Sequence, residues 1–379
     1  MKILTIDDQQ LILLSVAKKL KSLGYKVKTA NNGLEGIELY DIFSPDLVIV
    51  DMNMGDCSGM SVIKHIRSFK DSKTPIFVMS GNTNESVIMD SYDLGIDDYI
   101  KKPVSLDELA VRIKRCIGVP SNTNNHTKVT ETRILQKHCV GVVIPCYNEE
   151  ERLSSEAFKN FARTNLGYHL CFVNDGSTDK TLNVLYDLQK GNESNISIFN
   201  CEKNGGKAEA VRQGILLLSQ DEQLDYIGYL DADLSTDFRD YDDLVKTIEA
   251  SKFKIVSGSR ISRMGANITK ESARRIISIT INMIIQKILD MPFKDTQCGA
   301  KIMDRNLAFN MFQKPFITKW LFDVEIFMRM RKYYGKKKAK QFICEQPLKR
   351  WIHADGSKLS MKDSVKIIGQ LAKIAVTYR

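Results

Sequence analysis

Five short apolar runs, Ile3–Ile6, Val27–Ala30, Leu47–Val50, Ile76–Met79 and Tyr99–Ile100, alternate with stretches of helical period such as Leu11–Leu23, Gly33–Phe43 and Leu106–Ile117. Parallel strands need long crossovers, so this alternation predicts a doubly wound α/β sheet with a helix serving each connection. The pattern stops at Gly118 and Pro120, and Ser121-Asn-Thr-Asn-Asn-His-Thr127 has no hydrophobic period. Strand-like runs resume at Gly141–Ile144, His169–Val173, Ile196–Phe199, Tyr226–Leu230 and Ile255–Ser257, then give way to longer amphipathic and basic segments. We therefore expect one domain over residues 1–120, a polar linker over 121–137 and a larger α/β domain over 138–379. A length of 379 residues suits two domains, each with chain enough to bury a core.

Charge is divided unevenly between the two parts. Residues 1–120 carry 15 Lys and Arg against 16 Asp and Glu, which leaves 40 against 30 for the remainder. The second part is therefore expected to meet an anionic partner. A composition of 43% apolar and 27% charged residues excludes a disordered chain. The longest charge-free apolar run, Ile276 to Gln286, is too short to span a bilayer, and the N-terminus lacks a signal-peptide layout, so a cytoplasmic location is expected. Eight scattered cysteines, with no Cys-x-x-Cys pair, agree with that compartment.

Ligands of open α/β sheets bind where the strand carboxyl ends converge. In the first domain those ends carry Asp7-Asp8, Asp51, Ser80 and Lys102. Three carboxylates gather enough charge for Mg²⁺, Lys102 and Ser80 can hold phosphoryl oxygens, and Asp51 is the expected nucleophile. With Pro45-Asp-Leu-Val-Ile-Val-Asp51, Met79-Ser-Gly81 and Asp97-Asp-Tyr-Ile-Lys-Lys-Pro103, this set resembles the receiver domain of two-component response regulators. The resemblance implies a flavodoxin-like (βα)5 fold, phosphorylation of Asp51 by a cognate histidine kinase, and Mg²⁺ held by Asp7, Asp8 and Asp51. It also implies a switch formed by Ser80, Tyr99 and Lys102. Receivers of this kind normally feed a DNA-binding output domain.

The second domain shows no three-helix recognition unit, zinc finger or RNA-binding signature, so nucleic acid is not an expected partner. It carries instead Val142-Val-Ile-Pro-Cys-Tyr-Asn-Glu-Glu150, Phe172-Val-Asn-Asp-Gly-Ser-Thr-Asp179, Asn204-Gly-Gly-Lys-Ala-Glu-Ala-Val-Arg212 and Leu230-Asp-Ala-Asp233. Each puts carboxylates or bare backbone at one sheet edge. Alternate residues of a strand share a face, so Asp231 and Asp233 can address one divalent cation bridging a diphosphate. Such an ion offsets the charge that develops as a sugar–phosphate bond breaks.

Together these motifs resemble the GT-A fold, inverting family 2 glycosyltransferases. With Gly258-Ser-Arg260, Asp295-Thr-Gln-Cys-Gly-Ala-Lys301, Trp320-Leu-Phe-Asp-Val-Glu325 and Pro347-Leu-Lys-Arg-Trp-Ile-His-Ala-Asp-Gly-Ser-Lys358, they resemble the dolichyl-phosphate glucosyltransferase branch, the polyprenyl-phosphate sugar synthases, over residues 138–379. The resemblance implies that Pro145, Tyr147, Glu149 and Asp175 line a base and ribose pocket for a UDP- or GDP-sugar. Lys207 and Asp231 then face the nucleotide, and Asp231 and Asp233 hold Mg²⁺ or Mn²⁺. Arg260, Lys301, Arg350 and Lys358 become the expected grips for donor or acceptor phosphate.

Asp323, a candidate catalytic residue with Asp231 and Asp233, raises the question of the acceptor. A sugar hydroxyl needs a general base, which Asp323 or Glu325 can supply; a lipid phosphate is already ionised near neutral pH. For a phosphate acceptor, Asp323 is expected to order the site through cationic partners. His353 is a further candidate near the metal. The isoleucines of Ile268–Leu289, with Arg274, Arg275 and Lys287, suit a helix lying at an anionic membrane surface, which makes peripheral contact with the inner face of the cell membrane an expectation. The leading reading is a receiver-controlled transferase acting on polyprenyl phosphate. Transfer to a saccharide hydroxyl in cell-surface polysaccharide synthesis, and a catalytically silent nucleotide-sugar sensor, are the alternatives. Control through homo-oligomer formation is compatible with each.

Overall fold

The computed structural model describes residues 1–54, 58–82, 84–120, 132–260, 272–350 and 361–378, with backbone alone over 272–280 and 361–365. Residues 121–131 of the expected linker, together with His353 and Lys358, lie outside the described residues. The chain divides into two compact units, Met1–Cys139 with Asn160–Tyr168, and Val140–Lys159 with His169–Arg379.

In the first unit, β1 (Lys2–Ile6), β2 (Lys26–Ala30), β3 (Leu47–Val50), β4 (Ile76–Ser80) and β5 (Asp98–Lys101) form a parallel sheet in the order β2-β1-β3-β4-β5. This is the doubly wound order expected of the βα pattern. Period-two alternation sends Leu47, Ile49, Phe77 and Met79 into one apolar cluster, and Val48, Val50, Ile76 and Val78 into the other. Central strands buried on both faces therefore read as unbroken apolar runs. The edge strand β2 keeps Lys26 and Lys28 at its margin, a charged edge that resists pairing with another sheet. The helix Leu106–Ile117 starts at Ser105, whose hydroxyl accepts the Glu108 N–H at 3.0 Å.

Residues 132–137 of the expected linker, and chain beyond it, belong to this unit. A short strand, β6 (Val104–Ser105), pairs antiparallel with the start of β7 (Ile134–Cys146) through Val104↔Leu135. Leu135 and Leu166 fill the same apolar cluster as Ile49 and Ile113.

The sheet of the second unit runs β13-β11-β12-β10-β7-β8-β9. Its members are β7, β8 (Asn165–Asn174), β9 (Ile196–Asn200), β10 (Tyr226–Leu230), β11 (Ile255–Ser259), β12 (Ala300–Asp304) and β13 (Ile343–Pro347). β10 lies parallel to β7, whereas β12 is antiparallel to both β10 and β11. The antiparallel insertion sets Ala300 opposite Leu230, so the residue after β10, Asp231, donates its N–H to Gly299. Over its described side chains, the helix Ser272–Leu289 buries Ile285 and Leu289 and exposes Met283 and Lys287. The side chains of Arg274, Arg275, Ile276 and Ile277, on which the expected interfacial reading rests, lie outside the described ones. Among the described residues no helix is long and apolar enough to cross a membrane.

Phe158, fully buried, meets Phe172 edge-on at 5.1 Å and Phe238 at 5.3 Å. Phe158→Ala should lower unfolding stability by about 3–5 kcal/mol, read from urea unfolding of the full chain, because no neighbour can collapse fully into the void. A loss below about 1 kcal/mol would contradict this packing.

Candidate functional sites

At the carboxyl edge of the first sheet, Lys102 Nζ bonds Asp7 Oδ2 and Asp51 Oδ2, each at 2.8 Å. Their remaining oxygens accept backbone N–H groups, from Gln9 at 2.9 Å and Asn53 at 3.2 Å. Asp8 stands half-buried beside them. Burial raises the Asp7 carboxyl to about 6; Lys102 opposes this and the Asp51 charge adds to it. Desolvation would lower the Lys102 ammonium, yet Asp7 and Asp51 outweigh it and hold the group above its ordinary value. Two carboxylates on one ammonium, with Asp8 next in the chain, leave an anionic surplus, and that surplus fits a divalent cation. Ser80 is fully buried and accepts the Asn82 N–H at 3.2 Å, while the Tyr99 hydroxyl donates to the Asn82 carbonyl at 3.0 Å. Ser80 and Tyr99 thus act on one loop. A Cβ on Gly59 would overlap the Asp51 carbonyl, so a side chain at 59 would displace the strand end that carries Asp51.

In the second unit, the turns after β7 and β8 are stitched together. Asn148 N–H donates to Ser177 Oγ at 3.0 Å, Glu149 N–H to Thr181 Oγ1 at 2.8 Å, and Thr178 N–H to Asn148 Oδ1 at 2.9 Å. This bonding sets Pro145 at the end of β7, leaves Tyr147 45% exposed and brings Glu149 inward. Asp175 lies at the end of β8, 3% exposed, and accepts the N–H groups of Gly205 at 2.8 Å and Gly206 at 2.9 Å. Its carboxylate therefore shapes the turn that opens the helix Lys207–Leu218. Gly206 holds φ +88°, a conformation only glycine adopts cheaply.

Lys207, first residue of that helix, reaches Asp231 Oδ1 at 2.5 Å. Desolvation pulls its ammonium down, but Asp231 and then Asp323 overcome it and raise the group. Among the described residues Glu149 Oε2 is buried without a hydrogen-bond partner. Burial raises the Glu149 carboxyl; Arg152 opposes this and the Asp233 charge adds to it. Asp233 is exposed and accepts the Ser235 N–H at 2.9 Å. A Cβ at Gly299 would overlap the Asp231 carboxylate, so this edge tolerates only glycine without moving it. A buried acceptor such as Glu149 Oε2 is costly unless a cation or ligand meets it, and with the Asp233 charge acting on it this edge suits a divalent cation. Among the described residues no three His, Cys, Asp or Glu side chains enclose a metal by themselves. Water or a ligand's phosphates would complete the shell of a cation at either pocket.

The expected phosphate grips are differently placed. Lys301 is fully buried, its Nζ bonded to Asp323 Oδ1 at 2.6 Å and the Cys298 carbonyl at 2.8 Å, so it is no phosphate grip. Asp323 also accepts the Tyr229 hydroxyl. Arg260 is engaged by Asp295 through Nε at 2.7 Å and a terminal nitrogen at 2.8 Å. Burial raises Asp295, but Arg260 overcomes it and holds the carboxyl below its ordinary value. Arg350 lies on Asp240, which accepts its backbone N–H at 2.8 Å, and its Nε is buried without a partner among the described residues. Glu325, fully buried, binds Arg329 at 2.7 Å and the Tyr378 hydroxyl at 2.7 Å, a structural hub rather than a free base. Sequence reasoning passed over Tyr229 and Gly299. Tyr229 stood two residues before Asp231, the spacing that shares a strand face.

Residues 3–114 match the response regulator receiver domain family, and residues 141–312 match glycosyl transferase family 2. A dolichyl-phosphate beta-glucosyltransferase of Dictyostelium discoideum is 30% identical over 254 residues, spanning 63% of this chain and 74% of that protein. Its counterpart in Drosophila melanogaster is 32% identical over 237 residues, 58% of this chain and 69% of that protein. The cell cycle transcriptional regulator CtrA of Caulobacter vibrioides is 35% identical over 113 residues, 30% of this chain and 48% of that protein.

A carboxyl raised in the folded state binds its proton more tightly there than in the unfolded chain. The stability Asp7 contributes is therefore complete below its ordinary value of 3.8 and is lost as pH rises through about 6. Chemical unfolding of the full chain should show about 1–3 kcal/mol of this loss between those limits, and Asp7→Asn should abolish that slope. Mg²⁺ should stabilise wild type at pH 7 and not the variant. Equal pH slopes in both proteins would contradict the pocket described.

Proposed function

We propose, from the premise that the chain belongs to glycosyl transferase family 2 and carries a receiver domain, that it moves a glucosyl group from a nucleotide-sugar to polyprenyl phosphate with inversion. The chain is a glycosyltransferase resembling dolichyl-phosphate glucosyltransferases. The acceptor reading rests on one observation. The Asp323 carboxylate is already engaged by a cation, its Oδ1 accepting both the Lys301 ammonium and the Tyr229 hydroxyl, which suits a group that orders the site. An acceptor that arrives ionised needs no deprotonation, and a phosphate monoester meets that condition.

In this reading Glu149, Tyr147 and Pro145 face the nucleoside, and Lys207 meets the diphosphate. A phosphate oxygen of the acceptor attacks the anomeric carbon from the face opposite the donor diphosphate. The carbon–oxygen bond to the donor breaks, and its electron pair leaves on the nucleoside diphosphate. A divalent ion beside Asp231 and Asp233 would supply neutralising charge for that leaving group. Asp175 holds the Gly205-Gly206 turn, so that Lys207 is presented in place before the donor arrives.

The same reading makes Asp51 the phosphoacceptor of a histidine kinase, with transfer regulated by the receiver's state. A phosphoryl group there meets Lys102 and changes the Ser80–Asn82–Tyr99 contacts described above, the type of local charge event that biases a two-state surface. Regulation then depends on unequal affinity of the two receiver states for their target.

The full chain, given UDP- and GDP-sugars with Mg²⁺ or Mn²⁺, should label polyprenyl phosphate, and a beryllofluoride mimic at Asp51 should change that rate. Labelling of a saccharide hydroxyl with none of the lipid would contradict the acceptor. An unchanged rate and unchanged oligomeric mass with beryllofluoride would contradict the regulation.

A further inference from the structure

We infer that the chain's own segment 133–137 is the target that reads the receiver's state, and that phosphorylation of Asp51 loosens its seat by disturbing the contact between Lys137 and Gly81. The inference rests on the reading of Asp51 as a phosphoacceptor.

The seat is built by pairing and packing inside the first unit. Val104 and Ser105 of β6 face Leu135 and Ile134 in an antiparallel ladder, and the Leu106 N–H donates to the Arg133 carbonyl at 2.9 Å. Leu135, fully buried, packs in one cluster with Phe77 and Met79 of β4, the strand that ends at Ser80. Alternate residues of a strand share a face, so Lys137 leaves β7 on the side of Leu135. Its stem lies across Gly81: a Cβ there would stand 2.5 Å from Lys137 Cγ, 2.9 Å from Cε and 3.1 Å from Cδ. Gly81 does not hold a left-handed φ. Space already taken by Lys137, rather than backbone conformation, is therefore what excludes a side chain at 81.

Gly81 stands between the two residues whose bond shapes this loop. Ser80 Oγ accepts the Asn82 N–H at 3.2 Å, the Tyr99 hydroxyl donates to the Asn82 carbonyl at 3.0 Å, and the Ser80 carbonyl accepts the Lys102 N–H at 2.9 Å. Lys102 Nζ in turn bonds Asp51 at 2.8 Å. A phosphoryl group on Asp51 offers strong new acceptors to the Lys102 ammonium and the Ser80 hydroxyl. A Ser80 side chain drawn toward that group pulls on the Asn82 N–H bonded to it, and Gly81 moves with both. Close packing gives Gly81 no slack against the Lys137 stem, so the stem loses its fit. The two receiver states thus differ in affinity for a target already in place, which is the condition for control. That target opens β7, whose residues from Val140 onward belong to the second unit.

Two measurements on the full chain test this. Beryllofluoride with Mg²⁺ should speed amide hydrogen exchange in the peptide covering residues 133–138 by about fivefold or more, since a loosened segment opens more often. Coupling is reciprocal, so a variant that has lost the seat should bind the phosphoryl mimic more tightly: Lys137→Ala should raise beryllofluoride affinity by about fivefold in titration calorimetry. Lys137→Met keeps an unbranched stem over Gly81 and should stay within about twofold of wild type. Unchanged or slower exchange with beryllofluoride would overturn the inference, as would an unchanged affinity in Lys137→Ala. An equal gain in Lys137→Met would assign the effect to the charge and overturn the seat as its cause. Failure of wild type to bind beryllofluoride would overturn the phosphoacceptor reading instead, and the inference with it.

Discussion

Carboxylates gathered at the ends of parallel strands, with a single lysine set among them, are the constraint on which both units depend. In the first unit Asp7 and Asp51 share Lys102 at 2.8 Å each; in the second Asp231 holds Lys207 at 2.5 Å while Glu149 and Asp233 stand nearby as further negative charge. Sheet geometry delivers these groups, because the loops after parallel strands all open on one edge. Electrostatics then leaves each pocket short of positive charge. Such a pocket is unfavourable alone and becomes favourable with a cation and a phosphate, which is the economy of a phosphoryl or diphosphate site.

The rest of the second unit serves to hold that edge still. Asp175 fixes the turn before Lys207, Gly299 lets β12 approach Asp231, and Asp295 takes up Arg260. Glu345, from β13, accepts the N–H groups of Lys294 and Asp295 and so secures the loop that carries Asp295. Charge that looked available for ligands is largely spent on these internal pairs. Asp233 remains exposed, and among the described residues Lys207 is paired with Asp231 alone.

Much of this was legible in the sequence, and the limits have physical causes. Period-two runs and crossover helices fixed the first sheet because strands buried on both faces must be apolar throughout, as Leu47–Val50 is. Motifs at strand ends located Asp51, Asp231 and Lys207 because a short turn leaves little freedom in where such residues go. Partners distant in sequence were not legible. That Lys301 faces Asp323 rather than a phosphate depends on β12 inserting antiparallel beside β10, and nothing local in the Asp295–Lys301 segment encodes that register. The expected break at residues 121–137 shows the same limit. Leu135 completes an apolar cluster built from residues far earlier in the chain.

The proposed nucleotide site needs a divalent ion to join the anionic surplus around Asp231. Calorimetric titration of UDP and GDP into the full chain, with Mn²⁺ and then with chelator, tests this directly. The account predicts binding of one diphosphate with Mn²⁺, lost by about tenfold or more in chelator and in Asp233→Asn. Equal affinity in chelator, or an undiminished affinity in Asp233→Asn, would contradict it.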